Sequence, residues 1–227
     1  MSPASVVRLA LFDLDHTLIP FDSGMAWTRF CIERGWLPAD TETDYLEHCR
    51  RYMAGDIGVR ELHRALVLPL RDISRSGLDD WLAAFEAGLA PTLPAAALAL
   101  VAQHREAGDR CCLVTATTRF VAERYAAGFG ITEVLASEAA RDSHGRLTGE
   151  IIGAPCVGAH KLDKLLGWLA LEGLELKGFA RSWFYSDSAS DLPLLEAVSD
   201  PVAVRPDARL REVAVLRSWT VIERLSD

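Results

Sequence analysis

The pattern of apolar and polar positions divides the chain into two parts. A mostly apolar run at residues 6–12 is typical of a strand that a parallel sheet buries on both faces. Apolar residues then recur with a period of 3.6, and no strand candidate interrupts them up to residue 89. This periodicity predicts four helices, at 23–34, 40–54, 58–70 and 78–89.

From residue 94 onward, strand and helix patterns alternate. The predicted strands lie at 110–115, 134–136, 183–185 and 202–204. The predicted helices lie at 94–108, 118–128, 159–170 and 207–216, and a further helix follows residue 191 and ends at 197. Residues 137–153 differ, because the turn signal at 142–145 between short apolar stretches indicates a small antiparallel excursion. This alternation predicts an α/β fold with a doubly wound parallel sheet.

The helical stretch is an insertion into that fold. Some seventy residues between the first two strands are far more than one crossover needs. We therefore predict an α/β core formed by residues 1–20 and 90–227, and an inserted helical domain formed by residues 21–89.

The first strand ends in a pair of carboxylates. Asp13 and Asp15 are one residue apart and are followed by Thr17. Two carboxylates this close repel each other, and Mg²⁺, which takes oxygen ligands, is one reason for their proximity. An aspartate can also accept a phosphoryl group covalently. An Asx turn that leaves the strand is the alternative interpretation of the same residues.

Other polar residues follow the later strands. Thr115 ends the second strand, and Asp187 and Asp191 follow the strand at 183–185. Lys161 stands near the start of a predicted helix in a chain with only three lysines, which favours a site that needs a compact positive charge. Thr115 and Lys161 each have a simpler explanation, since Thr is common at strand ends and a lone Lys is usually solvated.

Together these residues resemble the four ordered motifs of the haloacid dehalogenase-like (HAD) phosphohydrolases. The resemblance implies that Asp13 is the nucleophile, that Asp15 is the general acid and base, and that Thr17 supports their geometry. It also implies a cap domain at 21–89 that closes over the site. The remaining roles are phosphate contacts from Thr115, Thr117 and Lys161, a Mg²⁺ ion held by Asp13, Asp187 and the backbone carbonyl of Asp15, and support of the site by Asp191. Ser186, Ser190 and His16 depart from the residues common in these motifs.

The position of the cap resembles the phosphoserine-phosphatase-like branch, subfamily IB. The resemblance implies a Mg²⁺-dependent phosphomonoester hydrolase that forms an aspartyl-phosphate on a small phosphorylated metabolite. Phosphoserine and histidinol phosphate are the candidate substrates, because the inserted helices carry more acidic than basic residues. Asp22 and Ser23 stand where they could contact the leaving group, although either could instead cap the next helix. A phosphotransferase on the same fold and a phosphoacceptor signalling switch are the alternatives.

Net charge and cysteine content limit the kinds of binding partner and the compartment that we expect for this protein. The net charge of −8 argues against nucleic acid and against an anionic membrane surface. Five cysteines, with no Cys-x-x-Cys pair, indicate reduced core residues and a cytoplasmic protein. The sequence leaves the oligomeric state open.

Overall fold

The computed structural model describes residues 7–223. Its strands are β1 (Leu9–Phe12), β2 (Arg110–Thr118), β3 (Glu133–Ser137), β4 (Ala139–Arg141), β5 (Leu147–Ile151), β6 (Ser182–Ser186), β7 (Asp200–Val204) and β8 (Thr220–Ile222). Six of them form one parallel sheet in the order β3-β2-β1-β6-β7-β8. The predicted fold class, an α/β fold with a doubly wound parallel sheet, is confirmed.

Helices cover both faces of this sheet. They are α1 (Ser23–Glu33), α2 (Asp40–Ala54), α3 (Val59–Val67), α4 (Arg75–Leu89), α5 (Ala95–Glu106), α6 (Arg119–Phe129), α7 (Ala159–Leu171), α8 (Leu192–Leu195) and α9 (Ala208–Leu216). Side chains of β1 alternate between the two faces, so Ala10 and Phe12 pack with α1, α4, α5 and α6. Leu9 and Leu11 pack with α7, α8 and α9. The unbroken apolar run of β1 therefore reflects burial on both sides.

Helices α1 to α4 occupy the predicted insertion. Their buried residues, among them Trp27, Leu66 and Phe85, join the same apolar cluster as Phe12 of the central strand. The inserted helices thus pack directly on one face of the sheet. The division into a core of 1–20 and 90–227 and a cap of 21–89 stays a prediction.

Several element bounds differ from the predicted ones for local reasons. The helix predicted at 58–70 ends at Val67 and continues as a 3-10 turn, because Pro69 cannot donate a backbone hydrogen bond. The helix predicted to begin at 78 begins at Arg75, after Ser74 caps it by accepting a bond from the Gly77 amide. The first strand spans Leu9–Phe12; residue 6 of the predicted strand lies outside the described residues.

The predicted antiparallel excursion is a hairpin, β4–β5, that leaves the sheet and contacts α3. Arg60 donates to the carbonyl oxygens of Ile151 and Gly153, and Arg64 forms an ion pair with Glu150. This hairpin therefore fastens one inserted helix to the part of the chain that carries the sheet.

Within residues 7–223, no single helix has both the length and the apolar composition needed to cross a membrane. Only residues 75–92 taken together with 95–106 reach both, and this pair is bent by 99°.

Candidate active site

The polar residues predicted to form a site lie at the carboxyl-end edge of neighbouring parallel strands. Asp13 and Asp187 directly follow β1 and β6, whereas Thr115, predicted to end the second strand, lies inside β2, which continues to Thr118. Phe12 of β1 is in register with Leu113 of β2 and Tyr185 of β6, so Asp13, Thr115 and Asp187 come after these positions on adjacent strands. An open α/β sheet binds its ligands at this edge. The sheet order thus brings together residues that are up to 174 positions apart in sequence.

Lys161 lies between two of these carboxylates. Its Nζ donates to Asp13 Oδ1 at 2.8 Å and to Asp191 Oδ2 at 2.6 Å, and the side chain is only 3% exposed. Burial opposes the charge of the ammonium group, but the two carboxylates outweigh it and hold the pKa of Lys161 above its usual value. The lysine is therefore a fixed positive charge in contact with the predicted nucleophile.

Asp187 and Asp13 face the same hydroxyl group. Thr17 Oγ1 lies 3.2 Å from Asp187 Oδ1 and 3.5 Å from Asp13 Oδ2. Burial and then the negative charge of Asp13 raise the pKa of Asp187 to about 7. Burial raises the pKa of Asp13 as well, and the positive charge of Lys161 offsets only part of this effect, while the charge of Asp191 adds to it. The two carboxylates are thus close together with too little positive charge beside them.

Asp15 is held on the other side of the turn. Its Oδ1 accepts from the Ser23 amide at 2.7 Å, and its Oδ2 accepts from Thr117 Oγ1, also at 2.7 Å. Burial and then the charge of Asp22 raise the pKa of Asp15 to about 7. A carboxyl group that titrates near neutral pH can both give and take a proton, as a general acid and base requires.

The donor set of Asp13 and Asp187 fits a magnesium ion. Both side chains supply carboxylate oxygens whose negative charge is only partly compensated by neighbouring groups. Mg²⁺ is usually held by one or two carboxylates and substrate phosphate. Asp191 Oδ1 is buried and has no hydrogen-bond partner among residues 7–223. Within the same range, no group of three or more His, Cys, Asp or Glu side chains is arranged to hold a metal ion.

A cavity of about 620 Å³ opens above these groups. Asp13, Asp15, Thr115, Lys161 and Asp187 line its base. The inserted helices form its other walls with the side chains of Tyr45, Cys49, Tyr52, Met53, Val59, Leu62, His63 and Leu66. The site therefore lies between the edge of the sheet and the predicted cap.

Three residues predicted to contact the substrate, Asp22, Ser23 and Thr117, have different partners in the structure. Ser23 and Thr117 share a hydrogen bond of 2.9 Å between their hydroxyl groups, and both contact Asp15. Asp22 lines the cavity and also caps α1, because its Oδ1 accepts from the Met25 amide. The two interpretations of Asp22 are thus compatible, whereas substrate contacts by Ser23 and Thr117 stay predictions.

Sequence reasoning missed several residues around the cavity. Ser186 donates to Asp191 Oδ2 at 2.7 Å, and Asp207 and Tyr45 line the cavity. Arg205 contacts the turn that follows Asp15. The sequence feature that could have identified Arg205 is its position directly after β7, because β7 ends at the same edge of the sheet as β1 and β6.

His63 joins the inserted helices to the end of β2. Its Nδ1 lies 2.9 Å from Thr118 Oγ1, and burial lowers the pKa of the imidazole to about 4. Because this value lies below that of an unfolded histidine, about 6.5, the unfolded chain takes up the proton first as the pH falls. We expect the stability contributed by His63 to be complete above about pH 6.5, and to fall by about 2 kcal/mol between pH 7 and pH 5.

Urea unfolding of the wild type and of His63→Gln at these two pH values measures this loss. Glutamine keeps a hydrogen-bonding side chain but does not titrate, so the variant should lose about 2 kcal/mol less than the wild type on acidification. His144→Gln, which changes an exposed histidine on the hairpin turn, is the matched control. Equal acid sensitivity in the wild type and His63→Gln would contradict the prediction.

Comparison with known proteins agrees with the fold and the predicted family. Residues 10–196 match the family model of the haloacid dehalogenase-like hydrolases. The chain belongs to this family, and the recognition made from its motifs is confirmed.

Individual relatives narrow the branch. The chain is 36% identical to a histidinol-phosphatase of Neisseria meningitidis serogroup C (strain 8013), over 95% of this chain and 98% of that protein. It is 38% identical to a crystal structure of a protein of unknown function from Bordetella pertussis Tohama I, with a TM-score of 0.88 over 98% of this chain and 100% of the other. A substrate-bound phosphoserine phosphatase shares the fold at 18% identity, with a TM-score of 0.66 over 96% and 93% of the two chains. The predicted phosphoserine-phosphatase-like branch and the predicted enzyme class, a phosphatase, are thereby confirmed.

Proposed function

We propose that the protein is a Mg²⁺-dependent phosphomonoesterase that acts through an aspartyl-phosphate and favours histidinol phosphate over phosphoserine. The observation that carries the choice of substrate is the charge of the cavity. Asp22 lines it beside Asp15, and within the described part of the chain no arginine lines it. Such a cavity suits a leaving group with a cationic end and no carboxylate.

The contacts around Asp13 support its role as the nucleophile. Asp13 attacks phosphorus while the bond from phosphorus to the ester oxygen breaks, and Lys161, already 2.8 Å from Asp13, stabilises the negative charge of the phosphoryl oxygens. The Thr115 hydroxyl lines the same cavity and is available to donate to these oxygens. A Mg²⁺ ion held by Asp13, Asp187 and the backbone carbonyl of Asp15 would neutralise further charge on the phosphoryl group.

Asp15 moves the protons. In its protonated form it gives a proton to the leaving alkoxide, and the resulting carboxylate then takes one from the water that attacks phosphorus. That second attack releases inorganic phosphate and restores Asp13. The Ser23 amide and the Thr117 hydroxyl fix the carboxyl group of Asp15 for both steps. Such acid and base catalysis contributes about 10²- to 10⁴-fold.

The charge and position of Asp22 support a contact with the leaving group. Its charge acts on Asp15, which protonates the leaving oxygen, and also on Tyr45 and Tyr125. An ammonium or imidazolium group on the leaving alcohol can therefore approach the Asp22 carboxylate. Tyr45 and Tyr52 add aromatic faces that attract cations.

Phosphoserine would bring a carboxylate into this space. Arg60 and Arg64 of α3 are engaged elsewhere, since Arg60 donates to the hairpin carbonyls and Arg64 pairs with Glu150. Lys161 lies between Asp13 and Asp191 at the phosphate end. A buried carboxylate without a partner is costly, so the cavity should discriminate against phosphoserine.

Asp22→Asn tests this assignment. Asparagine caps a helix as well as aspartate does, so α1 should persist while the negative charge is lost. We expect kcat/KM for histidinol phosphate to fall about 10- to 100-fold more than kcat/KM for glycerol 2-phosphate, whose leaving group is neutral. Steady-state phosphate release in the presence of Mg²⁺ measures both values.

Asp44→Asn, at an exposed position of α2 outside the cavity, controls for the general charge of the inserted helices. Equal losses for the two esters in Asp22→Asn, or a wild-type preference for phosphoserine, would overturn the proposed substrate. Adding a competing alcohol to the wild-type reaction separates hydrolysis from transfer, because a transferase would yield a new phosphate ester as well as inorganic phosphate.

A further inference from the structure

The loop between β7 and α9, residues 205–207, contacts both turns that carry the carboxylates. We propose that Arg205 is a positioning residue, which holds the turn after Asp15 so that Asp15 and Thr17 are correctly placed for reaction. This inference rests on the proposed roles of Asp13 and Asp15. The arginine itself does not contact the reacting atoms.

The guanidinium group of Arg205 donates to several backbone carbonyls of one turn. Its Nη2 lies 2.8 Å from the oxygen of His16, 2.6 Å from that of Thr17 and 3.5 Å from that of Ile19, and its Nε lies 3.1 Å from the oxygen of His16. The planar, forked arrangement of N–H groups in arginine allows this, and a lysine ammonium does not reproduce it. One side chain therefore fixes the orientation of several successive peptide groups.

Both partners of this contact have unfavourable backbone conformations. Arg205 has φ 45° and His16 has φ 57°, in the left-handed region that few residues other than glycine adopt; asparagine, aspartate and histidine do so more often than the rest, and arginine does so rarely. Such strain persists where surrounding contacts determine the conformation, and it occurs preferentially at functional sites. The left-handed backbone at position 205 disfavours arginine. The contacts that its side chain makes therefore account for the presence of arginine there.

The same loop also holds the second carboxylate turn. The Asp207 amide donates to the carbonyl oxygen of Asp187 at 2.8 Å, and Asp207 Oδ2 accepts from the Ala189 amide at 2.7 Å. The backbone amide of Arg205 donates to Ile222 of β8, which fixes the loop to the sheet. The loop thus sets the position of the Asp15–Thr17 turn relative to the turn that follows Asp187.

A shift of the first turn would act on groups that the reaction uses. Thr17 bridges Asp13 and Asp187, and Asp15 accepts from Ser23 and Thr117 across the cavity. Displacements of about 1 Å in such groups cost about 10²-fold in rate. Arg205 has no contact with Thr115 or Lys161, which bind the phosphate in the proposed mechanism, so its loss should affect kcat more than KM.

Arg205→Asn separates positioning from general stabilisation. Asparagine tolerates the left-handed backbone but cannot reach the three carbonyls. With p-nitrophenyl phosphate and Mg²⁺, we expect kcat to fall about 10- to 100-fold and KM to stay within about threefold, while the urea midpoint is no lower than that of the wild type. Arg205→Lys should retain more of kcat than Arg205→Asn, because it keeps a positive donor near the turn.

Ser218→Gly is the matched control for backbone strain. Ser218 has φ 55° and precedes β8, outside the cavity, so this variant should raise the urea midpoint and leave kcat unchanged. A kcat of Arg205→Asn within twofold of the wild type would overturn the proposal. A lower urea midpoint, together with a fall in kcat and a rise in KM by a similar factor, would also overturn it. Absence of turnover by the wild type would instead refute the proposed function.

Discussion

Asp13→Asn should abolish turnover without destabilising the protein. Asparagine cannot form the aspartyl-phosphate, and loss of a catalytic nucleophile in covalent enzymes costs about 10⁵-fold or more in kcat. Three carboxylates, those of the buried Asp13 and Asp191 and of the half-buried Asp187, lie around the ammonium group of Lys161. Removing one of these charges should leave the free energy of unfolding of the metal-free protein unchanged or raise it by about 1 kcal/mol.

Phosphate release and urea unfolding of the same preparation test this opposition between activity and stability. If activity is lost while stability is kept or raised, the charges of the site promote catalysis at the expense of folding stability. Residual activity above about 1% of the wild type would refute the role of Asp13 as the nucleophile. A large loss of stability would show that Asp13 is needed mainly as the structural partner of Lys161.

Lys161→Met should destabilise the protein by about 3–5 kcal/mol. Methionine has a similar length and no charge, so the buried carboxylates of Asp13 and Asp191 lose their common partner. Turnover should fall by about 10²- to 10³-fold, because a fixed donor to the phosphoryl oxygens is lost. Urea unfolding without metal and phosphate release with Mg²⁺ measure the two effects.

Lys164→Met is the matched control on the same helix. Lys164 lies one turn further along α7 and, as far as the described residues extend, forms no ion pair, so its replacement should change stability by less than about 0.5 kcal/mol. The double variant Asp13→Asn with Lys161→Met should be more stable than Lys161→Met by about 1–3 kcal/mol, since one unpaired buried carboxylate is removed. Simple additivity of the two changes would contradict the proposed charge balance.

Sequence reasoning reached the parts of the site that depend on strand ends. A strand buried on both faces is recognisable from its composition, and its carboxyl end is where a parallel sheet gathers polar groups, so Asp13 and Asp187 followed from local patterns. Thr115 was found by the same argument, although β2 continues past it to Thr118. Lys161 was found through composition and motif order. The structure adds that its ammonium group lies 2.8 Å from Asp13.

The remaining features depend on contacts between distant segments. Nothing local shows that Thr117 and Ser23, 94 positions apart, share a hydrogen bond and hold Asp15. The contacts of Arg205 with the Thr17 turn span 188 positions and use backbone carbonyls, which have no signature in the sequence. The short strand β8 was missed because Thr220–Ile222 is brief and only partly buried.

The position of β1 in the sheet has a consequence for synthesis on the ribosome. This strand emerges first but pairs on one side with β2 and on the other with β6, which ends at Ser186. At about 5–20 residues per second, its second partner follows roughly 10–35 s later. During that interval the apolar edge of Leu9–Phe12 is incompletely covered, so the nascent chain should depend on chaperones until most of it has been translated.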